Sequence, residues 1–324
     1  MSKQAATLSS LLERPAFAWL DSLAEPVQAG AARLLHANRA TRRIKDVLNG
    51  VPLRHRTHPA VVIWPLGAWT TALLFDALSG LSSGRRRDAC RAGAETSIAF
   101  GIVGALPAAS TGVADWVDLY DHQRRVGMAH AVLNSVALAC YAASYALRMG
   151  SPGRRVAACA LSGVGFGAVL ASGALGGDMV YTLGVNVPHT VYPKPPNEFR
   201  EVLASDELVE GTPVVVEVER VPVLLLRHNG TVFAVQEWCP HAGGPLSRGS
   251  FDGDVVECPW HQSRFCLSDG KPVQGPATVP LRTFDAREGN GVISVRPSYE
   301  AMSWPPPPAP PRSHPEHVRQ DAGE

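Results

Sequence analysis

Four long stretches without an Asp, Glu, Lys or Arg constrain the first half of this chain: residues 59–75, 96–114, 126–147 and 156–177, of 17, 19, 22 and 22 residues. A helix crossing the hydrocarbon core of a bilayer needs about 20 mostly apolar residues, within a range of roughly 17–25. A soluble helical domain has no use for four such runs in succession. The charges fall between them: Arg85, Arg86, Arg87 and Arg91, then Asp115, Asp118, Asp121, Arg124 and Arg125, then Arg148, Arg154 and Arg155. This punctuation predicts an N-terminal all-α four-helix transmembrane bundle over 58–187. Gly101, Gly104 and Ala108 in the second run, and Gly163, Gly167 and Gly173 in the fourth, are expected to let helix backbones approach closely.

Residues 1–57 precede the bundle. They read as a basic, solvated lead-in, with Arg33, Arg39, Arg42, Arg43, Lys45, Arg54 and Arg56 against a lone Asp46 between 33 and 56. Beside four spans, such a segment suits the anionic surface of a membrane rather than nucleic acid. The net charge of +1 gives no independent reason to expect a nucleic-acid partner. Four spans leave both termini on one side, and the membrane-proximal Lys and Arg number nine there against seven opposite. That excess predicts an integral protein of the cell membrane with its termini on the cytoplasmic side. No secretory signal peptide is expected, because the first 20 residues hold Glu13, Arg14 and Pro15 where an apolar run would stand. The six cysteines are too sparse for a disulfide framework, and Cys140 and Cys159 lie inside apolar runs.

Residues 188–198 carry four prolines and predict an extended linker. From 199 to 297 the pattern changes to short β-rich runs with glycine turns. Residues 213–218, 223–227 and 231–235 read as strands, with His228-Asn229-Gly230 as a hairpin turn. An all-β domain follows. The proline-rich tail, 298–324, is expected to be disordered or polyproline II.

Inside the β region stand Cys239-Pro240-His241 and, 16 residues on, Cys258-Pro259-Trp260-His261. Two thiolates and two imidazoles at this spacing are metal ligands, suited to iron and, in a mononuclear site, to zinc. Each half of the motif sits in a loop introduced by a predicted strand, with Gly243, Gly244 and Pro245 shaping the first loop.

The segments CPHAGGPLSRG and VVECPWHQSRFCLSDGKPVQGPATVPLRTF resemble Rieske ferredoxins and the Rieske components of oxygenases over about 100 residues. The resemblance implies one 2Fe-2S cluster, with Cys239 and Cys258 on one iron and His241 and His261 on the other. It also implies that Gly275-Pro276-Ala277 is the proline-containing loop covering the cluster. Where quinol-oxidising relatives place a disulfide, this chain has Gly244 and Trp260. At the positions of their Ser and Tyr donors it has Ser263 and Phe265. Fewer donors imply a ferredoxin-like, low-to-intermediate potential. Cys266, where relatives often have Asp, is expected to be a structural thiol and not a ligand.

The helical half resembles the family called domain of unknown function 2231. The matching residues are His58-Pro59 with Trp64-Pro65-Leu66, Asp76, His130 with Asn134, Gly173–Tyr181 and Gly184–Val187. Relatives often have His at the position of Asp178. Ionisable residues within spans are functional candidates. His58 and His130 could ligate a haem or line a quinone site, but interhelical hydrogen bonds are the reading favoured here.

The expected function is a membrane-anchored carrier that passes single electrons to or from a redox partner protein: a reductase, an oxygenase or a respiratory component. The alternative is a redox sensor in which the cluster controls the membrane domain. No catalytic residue is assigned. No two-His, one-carboxylate iron site and no Rossmann GxGxxG is visible, so the chain reads as an electron carrier or oxidoreductase component rather than a stand-alone enzyme.

Overall fold

A computed structural model describes residues 8–150, 152–188, 198–218 and 221–298. Most of the expected linker and tail, 189–197 and 299–324, lies outside the described residues. The helical half contains α1 (Leu8–Leu11), α2 (Trp19–Leu35), α3 (Arg39–Asn49), a single turn α4 (His58–Val61) running into α5 (Ile63–Gly80), α6 (Gly84–Trp116), α7 (Asp121–Arg148) and α8 (Arg155–Tyr181).

Four of these helices are long and apolar enough to cross a membrane: His58–Gly80, Gly84–Trp116, Asp121–Arg148 and Arg155–Tyr181. They form a four-helix bundle in which α5 packs on α6, α6 on α7, α7 on α8 and α5 on α8. Each is longer than the uncharged run that announced it. At about 1.5 Å per residue, the 33 residues of α6 span about 50 Å. Its first two turns therefore carry Arg85, Arg86, Arg87 and Arg91 beyond a hydrocarbon core of roughly 30 Å, where a loop was expected. The outer surface bears Ile63, Leu74, Phe100, Leu106, Val164 and Leu170, all more than half exposed.

The small residues work differently from the expectation. Gly163, Gly167 and Gly173 face outward, with nothing near where a Cβ would stand. Gly101 and Gly104 instead make room for rings: a Cβ would meet Trp69 Nε1 at 2.3 Å and Trp64 Cγ at 2.6 Å. In α8 the packed glycines are Gly165, against Cys140 and Tyr141, and Gly176, against His130.

The basic lead-in is not a solvated arm. It folds into helices that cap one end of the bundle. Leu12, Leu20 and Ala24 share a core with Trp116, Leu119, Val126 and Leu175. Asp21 pairs with Arg125, and Glu25 with Arg124 at 3.3 Å. The capping box of Asn38 and Thr41 starts α3, and Gly50, at φ 85°, ends it in the left-handed conformation. Helix α3 turns Lys45 and Asn49 inward. Lys45 Nζ meets Asp118 Oδ2 at 2.6 Å, and Asn49 donates to Asp115 Oδ1 at 2.6 Å.

The C-terminal half is all-β and antiparallel. Its strands are β1 (Arg200–Ala204), β2 (Val214–Val218), β3 (Val221–His228), β4 (Thr231–Gln236), β5 (Ser250–Asp252), β6 (Val255–Glu257), β7 (Arg264–Cys266), β8 (Pro272–Gln274), β9 (Thr283–Gly289) and β10 (Val292–Pro297). Six strands form one sheet in the order β1-β10-β9-β4-β3-β2, and four form another in the order β5-β6-β7-β8. Asn229 and Gly230, at φ 50° and 73°, make the tight turn between β3 and β4. Because side chains alternate along a strand, β3 serves two cores. Val223 and Leu225 pack with Phe284, Ile293 and Val295. Leu224 and Leu226 pack with Leu246, Val256, Phe265 and the two motif cysteines.

Candidate metal centre

Strand β4 delivers the chain into the loop holding Cys239 and His241, and β6 into the loop holding Cys258 and His261. Each loop is closed by its own backbone. Cys239 N–H donates to Gly244 O at 2.9 Å and Gly243 N–H to Cys239 O at 2.8 Å. In the second loop, Cys258 N–H donates to Ser263 O at 2.8 Å and Gln262 N–H to Cys258 O at 3.0 Å. The third loop joins them through Ala277 N–H, which donates to the buried Ser263 Oγ at 3.0 Å. The structure thus brings together the expected site residues of two loops, with a third loop bonded to the second. Phe265 is fully buried in the core beneath them. Cys266 stands apart, with its sulfur 3.0 Å from Ser268 Oγ.

Cys239 and Cys258 are 1% and 2% exposed. Their thiols share a hydrogen bond, which pulls Cys258 down to about 7 against the opposing effect of burial; the N–H groups of Trp260 and His261 assist. The same bond, with burial, pushes Cys239 up. The rings of His241 and His261 stand edge to face, 4.7 Å between centroids. Burial holds His261 neutral by lowering its pKa, although the nearby Asp118 carboxylate works the other way.

The residues present fit a two-iron cluster. His261 Nε2 is buried with no hydrogen-bond partner, which leaves a lone pair or proton unused. A Cβ at Gly244 would stand 2.8 Å from Cys258 Sγ, so only a residue without a side chain lets the first loop lie this close to that sulfur. Among the described residues, no three His, Cys, Asp or Glu side chains converge on a point able to hold one metal ion. Two irons with two protein ligands each require no such convergence.

The histidine edge faces the helical half across a cavity. The ring of Tyr120, between α6 and α7, lies 5.3 Å from that of His261. A cavity of about 620 Å³ opens at this junction, walled by Asp118, Tyr120, Gln123 and Asn186 on one side and His241, Trp260 and His261 on the other. Beneath it Asp115 accepts hydrogen bonds from Asn49, Arg56 and Asn186. Sequence reasoning assigned Asp115 and Asp118 to a charged loop and Lys45 to the solvated lead-in. Only their partners, far away in the chain, reveal them as buried.

The candidates inside the bundle are bonded to neighbouring helices. His58 Nδ1 lies 3.1 Å from both Thr111 Oγ1 and Ala108 O. His130 Nδ1 lies 2.8 Å from Ser172 O, and Asn134 Nδ2 3.0 Å from His130 Nε2. Asp76 takes both terminal nitrogens of Arg148, at 2.8 and 2.5 Å. Asp178 accepts the N–H of Ser9 at 2.8 Å.

Comparison with known proteins agrees with this geometry. Residues 198–285 match the Rieske [2Fe-2S] domain, and residues 54–189 match a predicted membrane protein family, DUF2231. The biphenyl 2,3-dioxygenase ferredoxin component of Rhodococcus jostii is 39% identical over 94 residues, 29% of this chain and 88% of that protein. Ferredoxin CarAc of Metapseudomonas resinovorans is 35% identical over 98 residues, 29% of this chain and 90% of that protein. Among solved structures, the ferredoxin of carbazole 1,9a-dioxygenase from Nocardioides aromaticivorans is 31% identical, covering 31% of this chain and 97% of that one, with a TM-score of 0.30. The matches over 198–285 and 54–189, with two ferredoxin components each covered over most of its length, establish that the chain belongs to the Rieske [2Fe-2S] family, with its electron-transfer role, and carries a DUF2231 helical domain ahead of it.

Proposed function

We propose that this protein is a membrane-anchored one-electron carrier. In this reading Cys239 and Cys258 hold one iron of a 2Fe-2S cluster, and His241 and His261 hold the other. The helical bundle of 58–187 fixes the β domain of 199–297 to the cell membrane, on its cytoplasmic side. When bound, the cluster supplies reversible one-electron exchange with a redox partner protein, of which a reductase or an oxygenase is the expected kind. The protein's own contribution is burial of the thiols, the backbone closures that fix both loops, and Ser263 holding the third loop over the site. The observation that carries this reading is the pairing of two buried thiols, and beside them of two imidazoles, at the end of an apolar four-helix bundle.

Electron paramagnetic resonance of the detergent-purified protein, with an optical spectrum of both redox states, tests it. The expected result is a rhombic signal on one-electron reduction, typical of mixed Cys and His ligation. No reducible cluster after anaerobic purification would sink the proposal. A Soret band beside the signal would add a haem, with His58 and His130 as candidate ligands. The sensor reading gains support from one contact: Asp46 of α3 accepts the N–H of Gly275 in the loop over the cluster.

A further inference from the structure

Helix α3 lies between the two halves of the molecule and is bonded to both. Toward the bundle, Lys45 and Asn49 are 4% and 0% exposed and hold Asp118 and Asp115. Toward the β domain, Asp46 Oδ1 accepts the Gly275 N–H at 2.9 Å, and Arg42 Nη1 donates to Gln262 Oε1 at 3.1 Å. Gly275 is informative about this contact. A Cβ there would meet Val51 Cγ2 at 2.6 Å and Asp46 Oδ1 at 2.9 Å, both from the helical half. The nearest atom of its own half, Ala277 N, would be 3.8 Å away. The missing side chain therefore serves the contact with α3 rather than packing within the β domain.

The contact covers the loops that carry the histidines. Gln262 follows His261, Gly275 belongs to the loop that bonds Ser263, and Tyr120 stands over the His261 ring. What remains open is the cavity of about 620 Å³. That volume admits a small molecule. It does not admit a protein, whose specific contacts cover roughly 1,200–2,000 Å² of total surface.

We propose that α3 and the end of the bundle form a docking cradle for the histidine edge, so that the β domain must leave the cradle before a protein electron partner can reach the site. This rests on the carrier reading above. The docked state excludes proteins and passes small redox molecules. Because a partner binds only the undocked fraction, its apparent affinity falls by that fraction, and a minor state populated at about 0.1–10% leaves at least tenfold to gain.

Two variants of the full-length protein in detergent test the proposal. Val51→Cys with Gly275→Cys locks the contact, because the Val51 Cγ2 distance puts the two Cβ atoms within reach of a disulfide, which asks for about 3.5–4.5 Å. Gly275→Val wedges it open. The readouts are the yield of the 51–275 disulfide by mass spectrometry and stopped-flow reduction by two donors, a photoreduced soluble 2Fe-2S ferredoxin and photoreduced methyl viologen. The locked protein should lose about tenfold or more in rate with ferredoxin, and Gly275→Val should gain by a similar factor. Because residue 275 lies in the loop over the cluster, each ferredoxin rate is read as its ratio to the same variant's methyl viologen rate, so that a change at the cluster itself cancels. Failure of the disulfide to form, or a ferredoxin rate indifferent to its formation, would overturn the cradle. A parent protein that methyl viologen cannot reduce, with the disulfide still forming, would instead overturn the carrier reading.

Discussion

The helical half and the β half bury polar groups to different ends. In the bundle, most of them meet one another. Asp76 clasps Arg148, Ser144 lies 2.9 Å from Ser162, and His130 is held by Ser172 and Asn134. Among the described residues the exceptions include Arg91 Nε, Arg124 Nε, Trp69 Nε1 and Tyr141 Oη, and the rings of the last two stack at 4.2 Å. Where no water is at hand, an unpaired polar group is costly, so internal pairing is what a membrane helix requires. In the β half, the motif side chains are brought together in pairs, and His261 Nε2 is buried without a hydrogen-bond partner. Paired polar groups hold the fold here, and groups with unused donors and acceptors mark the site.

The comparison is broken most sharply at the site itself. Cys258→Ser should abolish the cluster signal and its visible absorbance while far-ultraviolet circular dichroism retains the helical content. A collapse of helicity would mean that the two halves do not fold separately. In the bundle, Asp76→Leu leaves Arg148, whose side chain is fully buried, without its partner. Removing one member of a buried ion pair costs about 3–5 kcal/mol, to be read as a lower unfolding midpoint in detergent with the cluster signal unchanged.

A smaller effect separates the glycines. Gly101→Leu drives a side chain into the Trp69 indole and should cost about 1–3 kcal/mol by overpacking. Gly163→Leu, facing outward, should stay within about 0.5 kcal/mol. Equal costs would mean that Gly163 faces another helix.

The smallest expected effect concerns the cap on the bundle. The Arg125 guanidinium hydrogen-bonds Asp21 and holds its carboxyl below the usual 3.8. A carboxyl depressed in the folded state contributes stability above its unfolded pKa and loses it as pH falls through the folded value. Asp21→Asn should therefore lower stability slightly at neutral pH, and its difference from the parent should shrink to nothing as pH falls below about 3.8. Thermal unfolding across that range checks it.

Much of this architecture was legible in the residues. Run length and hydropathy announced four spans, and the ends were missed where arginines such as Arg85–Arg87 continue a helix past the apolar core. The Cys239–His241 and Cys258–His261 motif named the candidate ligands, because ligand spacing within a loop is a local property. The faces of the helices were less legible. With apolar residues all round α6 and α8, nothing in the sequence distinguishes Gly101, which takes an indole, from Gly163, which meets nothing.

By itself, then, the sequence determined the four apolar helices and the β domain behind them and named the candidate ligands, since each follows from neighbours along the chain. Tertiary structure alone decided that Lys45 lies buried on Asp118, that Asp46 reaches Gly275 across 229 positions, and that the histidine edge faces the bundle end across a cavity. Those pairings depend on which charged groups can be desolvated together, and a buried Lys or Asp is tolerated only where the fold supplies its partner.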